Sequence, residues 1–188
     1  SMEHQYKIMV SSAVYGFESE IEQICSILSN MGYRVLNSYI GTIKVHPGFS
    51  NLDNCLKAVE ECDLFLGVIR PYCGTGNIDD KNITFEEMKK AVELNKPYWF
   101  VVHHDVTFAR KLCNKIIDFH PTMIRRNHFF EYLSVEMYNM VIKDQEAIAS
   151  RIGNWVQEFY KVDDILRFLK TQFEDIEFIN HIVTAQRP

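Results

Sequence analysis

Short runs of consecutive apolar residues alternate along this chain with stretches whose apolar residues recur every three or four positions. These are the two periods that separate buried strands from amphipathic helices. Tyr6 to Val10 is a compact apolar run and predicts a strand that breaks at Ser11-Ser12. Between Phe17 and Met31, Ile21, Ile24, Cys25 and Leu28 fall on one helical face, so a helix starts near Glu18 and Gly32 stops it. Tyr33 to Leu36 restarts the chain as a second strand, and Asn51 to Glu61 predicts a helix through Leu52, Cys55, Leu56 and Val59. Leu64 to Ile69 lacks any polar side chain, as expected of a central parallel strand covered on both faces. From Ile83 the pattern is a helix carrying Glu86 and Glu87 in its first turn, followed by a strand from Tyr98 to Val102. Asn37 to Phe49 and Pro71 to Asn82 hold the glycines and prolines of loops, and connections of that length are commonly functional.

Strands alternating with helices imply a parallel sheet with right-handed crossovers. Residues 6–104 therefore read as a three-layer, flavodoxin-like α/β unit. Beyond His104 the pattern changes. Val106 to Phe119 predicts a helix, Phe129 to Tyr132 a last short strand, and Ser134 to Phe178 a helical stretch packing through Trp155, Phe159, Ile165, Leu166 and Leu169. Residues 105–188 are accordingly expected as a mainly helical carboxyl-terminal part packed on the core. No internal repeat or low-complexity run divides the chain further.

Composition narrows the function classes. The 188 residues, 47% apolar, suit one soluble domain or a domain with a helical extension. A net charge of -5 and a pI near 5.8 argue against a nucleic-acid surface built on bulk positive charge, leaving only a local patch at Arg125-Arg126 with His128. No apolar run reaches the roughly 18 residues of a membrane span, and no basic segment precedes an apolar signal core. A cytoplasmic location is expected. The five cysteines (Cys25, Cys55, Cys62, Cys73 and Cys113) are odd in number and show no CxxC spacing, which suits reduced thiols. Ser1 before Met2 has the look of a residue left by tag removal and is set aside.

In an open α/β sheet, ligands bind beyond the carboxyl ends of the strands. Ser11, Ser12 and one of Glu86 or Glu87 are expected to face such a cleft. The serines can donate to a phosphate or ribose at a helix start, and serve equally as a cap or tight turn. Asp63, which opens the central strand, can touch a sugar, although an acid in a helix-to-strand turn needs no ligand. Tyr15 and Phe17 can stack on a base, or close the core. His103, His104 and Asp105 suggest a metal cluster, but adjacent histidines on a strand end point to opposite sides, so no metal is expected. Cys73 lies beside a cleft loop with no histidine placed locally to activate it, and inert behaviour is expected. The chain has no GxxxxGK[ST] segment, so NTP hydrolysis is not supported.

The succession SSAVYGF, a helix, GYRV, a loop, LDNCLKAVEECDLFLGVI, a glycine-bearing loop and ITFEEMKKAVELNKPYWFVV resembles the DUF4062 family, a domain of unknown function. The resemblance covers roughly residues 6–104. Its most specific parts are Ser11-Ser12, Cys62-Asp63 and the helix from Thr84 into Lys96-Pro97. The family is similar in fold to TIR domains and nucleoside 2-deoxyribosyltransferases, and its members commonly stand in front of signalling modules. The resemblance implies a carboxylate four residues before a small residue on the helix ahead of a Lys-Pro strand entry, and Glu87 before Ala91 matches that spacing. Glu86 does not, lying about 100° away around the helix. Related sequences often carry an Arg-Tyr-Gly-like segment near Tyr72, whereas this chain has Arg70-Pro71-Tyr72-Cys73-Gly74.

Two function classes follow. One is an enzyme that cleaves an N-glycosidic bond in NAD, a nucleotide or a nucleoside. Breaking that bond builds positive charge on the ribose, which Glu87 would stabilise, attack, or relieve by activating water. NAD or a nucleotide is then a substrate and no cofactor is needed. The other is a non-catalytic module of signalling or defence that senses a nucleotide-like ligand or associates with its own copies, with Glu87 retained for structure. In either case the expected partner is a small nucleotide-like molecule, with no membrane and no nucleic acid. Glu86 and Glu87 also fit first-turn acids favoured by the helix dipole.

Overall fold

The computed structural model describes residues 5–73, 77–78, 81–116, 120, 130–147 and 155–185. In chain order the elements are β1 (Lys7–Ser12), α1 (Glu18–Asn30), β2 (Arg34–Leu36), α2 (Asn51–Glu61), β3 (Leu64–Ile69), β4 (Asn77–Ile78), β5 (Lys81–Asn82), α3 (Ile83–Glu93), β6 (Tyr98–His103), α4 (His104–Lys115), α5 (Tyr132–Ala147), β7 (Gln157–Phe159), α6 (Val162–Phe173) and α7 (Ile176–Ala185). Local chemistry sets several boundaries. Gly32 adopts φ +101, a conformation that costs a side chain dearly, and so turns the chain out of α1. The Ser50 hydroxyl accepts from Asp53 N at 3.0 Å to cap α2, and the Asn82 amide oxygen accepts from Phe85 N at 2.9 Å to cap α3.

Among the described residues, five strands form one parallel sheet in the order β2-β1-β3-β6-β7. This is the flavodoxin-like strand order. Alternation along the strands sends Ile8, Val10, Leu64, Leu66 and Val68 to one face, where α1, α6 and α7 cover them with Ile21, Leu28, Ile165, Leu169 and Ile179. Met9, Phe65, Ile69, Phe100 and Val102 point to the other face, against α2, α3, α4 and α5. The result is three layers with the core split by the sheet. Among the described residues no helix is long and apolar enough to cross a membrane.

The structure departs from the sequence expectations in several places. β1 does not break at Ser11-Ser12 but runs through both serines, because their backbones pair with Gly67 and Val68 of β3. The Pro71–Asn82 connection carries the small antiparallel ribbon β4-β5. The short strand expected from Phe129 to Tyr132 is not formed by its described residues, since Tyr132 opens α5, and Phe129 lies outside them. α4 starts at His104, two residues early, because the His103 imidazole accepts from Asp105 N at 3.0 Å as its cap. The end expected at Phe119 lies outside the described residues. A strand also interrupts the stretch expected to be helical from Ser134 to Phe178: β7 pairs in parallel with β6 and buries Phe159, while Trp155, expected in the core, is 75% exposed. Residues beyond the expected boundary at His104 thus supply the sheet's fifth strand as well as covering helices.

One close approach fixes the middle of the sheet. A methyl group placed on Gly67 would lie 2.2 Å from the Phe100 ring, which is itself held against Phe65 and Tyr98 at centroid separations of 5.9 and 5.0 Å. Gly67→Ala is therefore expected to destabilise the fold by roughly 1–3 kcal/mol, the usual range for an overpacked core. Urea unfolding measures this, and adding Phe100→Leu should recover part of the loss if the ring contact is the cause.

Candidate functional site

β1 leads to α1 on one face of the sheet, while β2 and β3 lead to α2 and α3 on the other. The connections diverge between β1 and β3, so the crevice at their carboxyl ends is the topological switch point where ligands enter this architecture. Ser11, Ser12, the segment 13–17 and Arg70 meet there.

Ser11 shares the face of Met9 and is 1% exposed. A buried hydroxyl needs a partner, and Ser11 finds one 76 residues away, donating to Glu87 Oε1 at 2.8 Å. The Cys55 thiol of α2 also hydrogen bonds to Glu87. α3 presents Glu87 inward alongside Met88 and Ala91, leaving the carboxyl 4% exposed. Burial pushes its pKa up to about 7, against the opposing effect of the hydrogen bonds from Ser11 and Cys55. The Cys55 thiol in turn is pushed up to about 12, by burial first and then by the Glu87 charge. Beside Ser11, the Phe100 ring lies over Gly67 of the neighbouring strand. The site is a carboxyl group poised near neutrality, held by one hydroxyl and one thiol. Glu86, one residue earlier, is partly exposed.

The remaining expected residues scatter. Ser12, 7% exposed, donates to its neighbour Ala13 O at 3.0 Å. Tyr15 is 84% exposed and Tyr72 about half exposed, both at the carboxyl edge, while Phe17 is buried in the core. Asp63 is the clear displacement: it precedes β3 at the amino edge, opposite Ser11, where its carboxylate accepts from Lys7 N at 2.9 Å and its own N–H donates to Lys7 O at 2.9 Å. It ties two strands together and does not reach a ligand bound with Ser11. Cys73 is buried with Sγ 3.1 Å from Ser134 Oγ, and burial pushes its thiol up to about 12, so no thiolate nucleophile is available there. His103 caps α4, whereas His104 stacks on Tyr160 with centroids 4.5 Å apart and sets Nδ1 3.3 Å from Glu158. Arg125, Arg126 and His128 lie outside the described residues.

Three residues at this edge escaped the sequence reading. Arg70 crosses the crevice, its Nη1 donating to Ala13 O at 2.9 Å and Tyr15 O at 3.0 Å, with the guanidinium 4.4 Å above the Phe17 ring. A lone arginine closing an apolar strand was the available signal. Asn37 is 3% exposed, donating to Val10 O at 2.9 Å and accepting from Tyr39 N and Ile40 N. An asparagine opening a loop after a strand often bonds forward in this way. Cys55 read only as an apolar helix position.

Glu87 holds its proton more tightly folded than unfolded, since its ordinary value is 4.5 and its folded value about 7. The stability linked to that proton is full below pH 4.5, falls as pH rises to about 7, and is level beyond. Glu87→Gln removes the fall, so between about pH 4.5 and 8 the variant is expected to gain up to roughly 3 kcal/mol relative to the wild type. Urea unfolding across that range checks it, and parallel pH curves for the two proteins would refute the assignment.

Comparison with known proteins extends the picture. A solved structure with a similar layout is the CMP N-glycosidase BcmB of Clostridium botulinum, at 14% identity and a TM-score of 0.44, over 87% of this chain and 98% of that one. It is a loose overlap. A search of curated proteins finds no match. The model of the domain of unknown function DUF4062 matches residues 7–147, past the expected limit at His104 and through α5. With most of its length matched, the chain belongs to the DUF4062 family.

Proposed function

We propose that the chain binds a nucleotide-like ligand at the crevice between the carboxyl ends of β1 and β3 and cleaves its N-glycosidic bond, with Glu87 as the central carboxylate. The observation that supports this is the Ser11–Glu87 pair beside the switch point, a buried carboxyl whose pKa near 7 lets it change charge at neutral pH. As the C1′–N bond breaks, its electron pair leaves with the base. Ionised Glu87 meets the positive charge left on the ribose, water adds its hydroxyl to C1′, and the remaining proton goes to an anionic base, or to solvent where the base leaves neutral as nicotinamide does. For the carboxylate to engage the sugar, a ribose hydroxyl takes over the hydrogen bond now made by Ser11. NAD, free nucleotides and deoxynucleosides all present this chemistry, and choice among them would fall to the connections that follow β2 and β3.

The 4% exposure of Glu87 favours a second reading, in which the same crevice recognises the ligand for signalling or self-association and the carboxyl is structural. One experiment separates the two. At high protein concentration, free base released from NAD, nucleotides and nucleosides is followed by chromatography while calorimetry records binding. The enzyme reading expects turnover that falls at least about a hundredfold in Glu87→Gln and stays near wild type in Glu86→Gln. Because the ionised form acts, the rate should rise with pH through about 7 and then level. Binding without product from any of these compounds would overturn it in favour of recognition alone.

A further inference from the structure

A second hollow lies along the edge strand β2, between Lys7 and Arg34 on the sheet, α2, and the loop after Asn37. Lys7, Arg34, Lys44 and Lys57 line it together with His46, and Glu61 is the one acid among its lining residues. Such a gathering of cations is unexpected in a chain of net charge -5, whose surface on average repels anions. Lys57 approaches Glu60 at 3.5 Å, whereas among the described residues Lys7, Arg34 and Lys44 enter no ion pair.

His46 adds an independent sign. Its backbone N–H donates to Asn54 Oδ1 at 2.8 Å, fixing the chain there, and its ring packs 5.1 Å from Phe49. Yet its Nε2 is buried without a hydrogen-bond partner. An orphaned buried nitrogen calls for an explanation, and a ligand atom is one. The enclosed space is about 20 Å³, enough for one oxygen-sized group, so a ligand would rest across the mouth and insert a single oxygen.

We infer that this hollow is a binding site for the phosphoryl group of a phosphate-bearing small molecule. A carboxylate would meet one of the clustered charges. A phosphoryl group brings nearly two negative charges and three acceptor oxygens, which matches several lysines, an arginine and the unpartnered Nε2 of His46. Ser11, Cys55 and Glu87 are not among its lining residues, and the assignment does not depend on the chemistry proposed there.

Titration of the full chain with inorganic phosphate and with tripolyphosphate, at ionic strength held constant with chloride, tests this through the imidazole NMR signals of His46. Saturable shifts are expected, stronger for tripolyphosphate. Replacing the exposed pair (Arg34→Gln with Lys44→Gln) should weaken binding about tenfold or more while leaving the melting temperature in chloride unchanged. Glu87→Gln should bind tripolyphosphate as the wild type does. Non-saturating shifts, shifts reproduced by chloride alone, or a double variant that binds as tightly as the wild type would each overturn the assignment.

Discussion

Leu64 to Ile69 can be kept from water only if helices cover both faces of the sheet in which it lies, and the remaining elements are arranged around that requirement. All six residues are buried, with Leu64, Leu66 and Val68 on one side and Phe65, Gly67 and Ile69 on the other. A strand buried in this way must have its backbone bonded to strands on both flanks, which β1 and β6 provide. The same dryness reaches the neighbouring positions. Ser11, paired with Gly67, is drawn into the apolar layer and must bond to something there, and Glu87 lies within reach on α3.

The alternation of apolar runs and amphipathic periods made the three-layer core legible, because each of those elements buries a face wide enough to leave a repeating signal. β7 left no such signal. Its three residues are held by pairing to β6 and by burial of Phe159 against α6, both set by tertiary context. Glu87 was singled out through the family resemblance, by its spacing to Ala91, whereas its partners left no signal, since Ser11 lies 76 residues away and the thiol of Cys55 on α2 reads as one more apolar helix position. Serines look like turn residues until a distant carboxylate makes a strand interior tolerable for one of them.

Two of the segments that resemble the family, Cys62-Asp63 and Lys96-Pro97, serve the amino edge. Asp63 bonds to the Lys7 backbone in both directions, Phe65 N donates to Pro97 O at 2.9 Å, and the Lys96 ammonium donates to Glu60 O and Cys62 O, each at 2.7 Å. Cations near the last carbonyls of a helix are favourably placed. Cys62-Asp63 and Lys96-Pro97 therefore close α2 and start β3 and β6 in register. With folding secured there, the carboxyl edge carries the longer connections, and Arg70 pins the segment after β1 across the switch-point crevice.

Burial of Glu87 then needs a reason beyond architecture. Among the described residues its carboxyl meets one hydroxyl and one thiol and no cation, and burial of the ionised form raises its proton affinity. A leucine or methionine of similar volume at that point on α3 would avoid the desolvation penalty and give a more stable fold at neutral pH. The apolar layer around it, from Met9 to Phe100, shows that this sequence supplies such residues readily where packing alone decides. Sites where a chain breaks its own local rules at a cost to stability are where function is expected. Glu87 breaks those rules beside the point in this strand order where the connections part, and the proposed role rests on that coincidence.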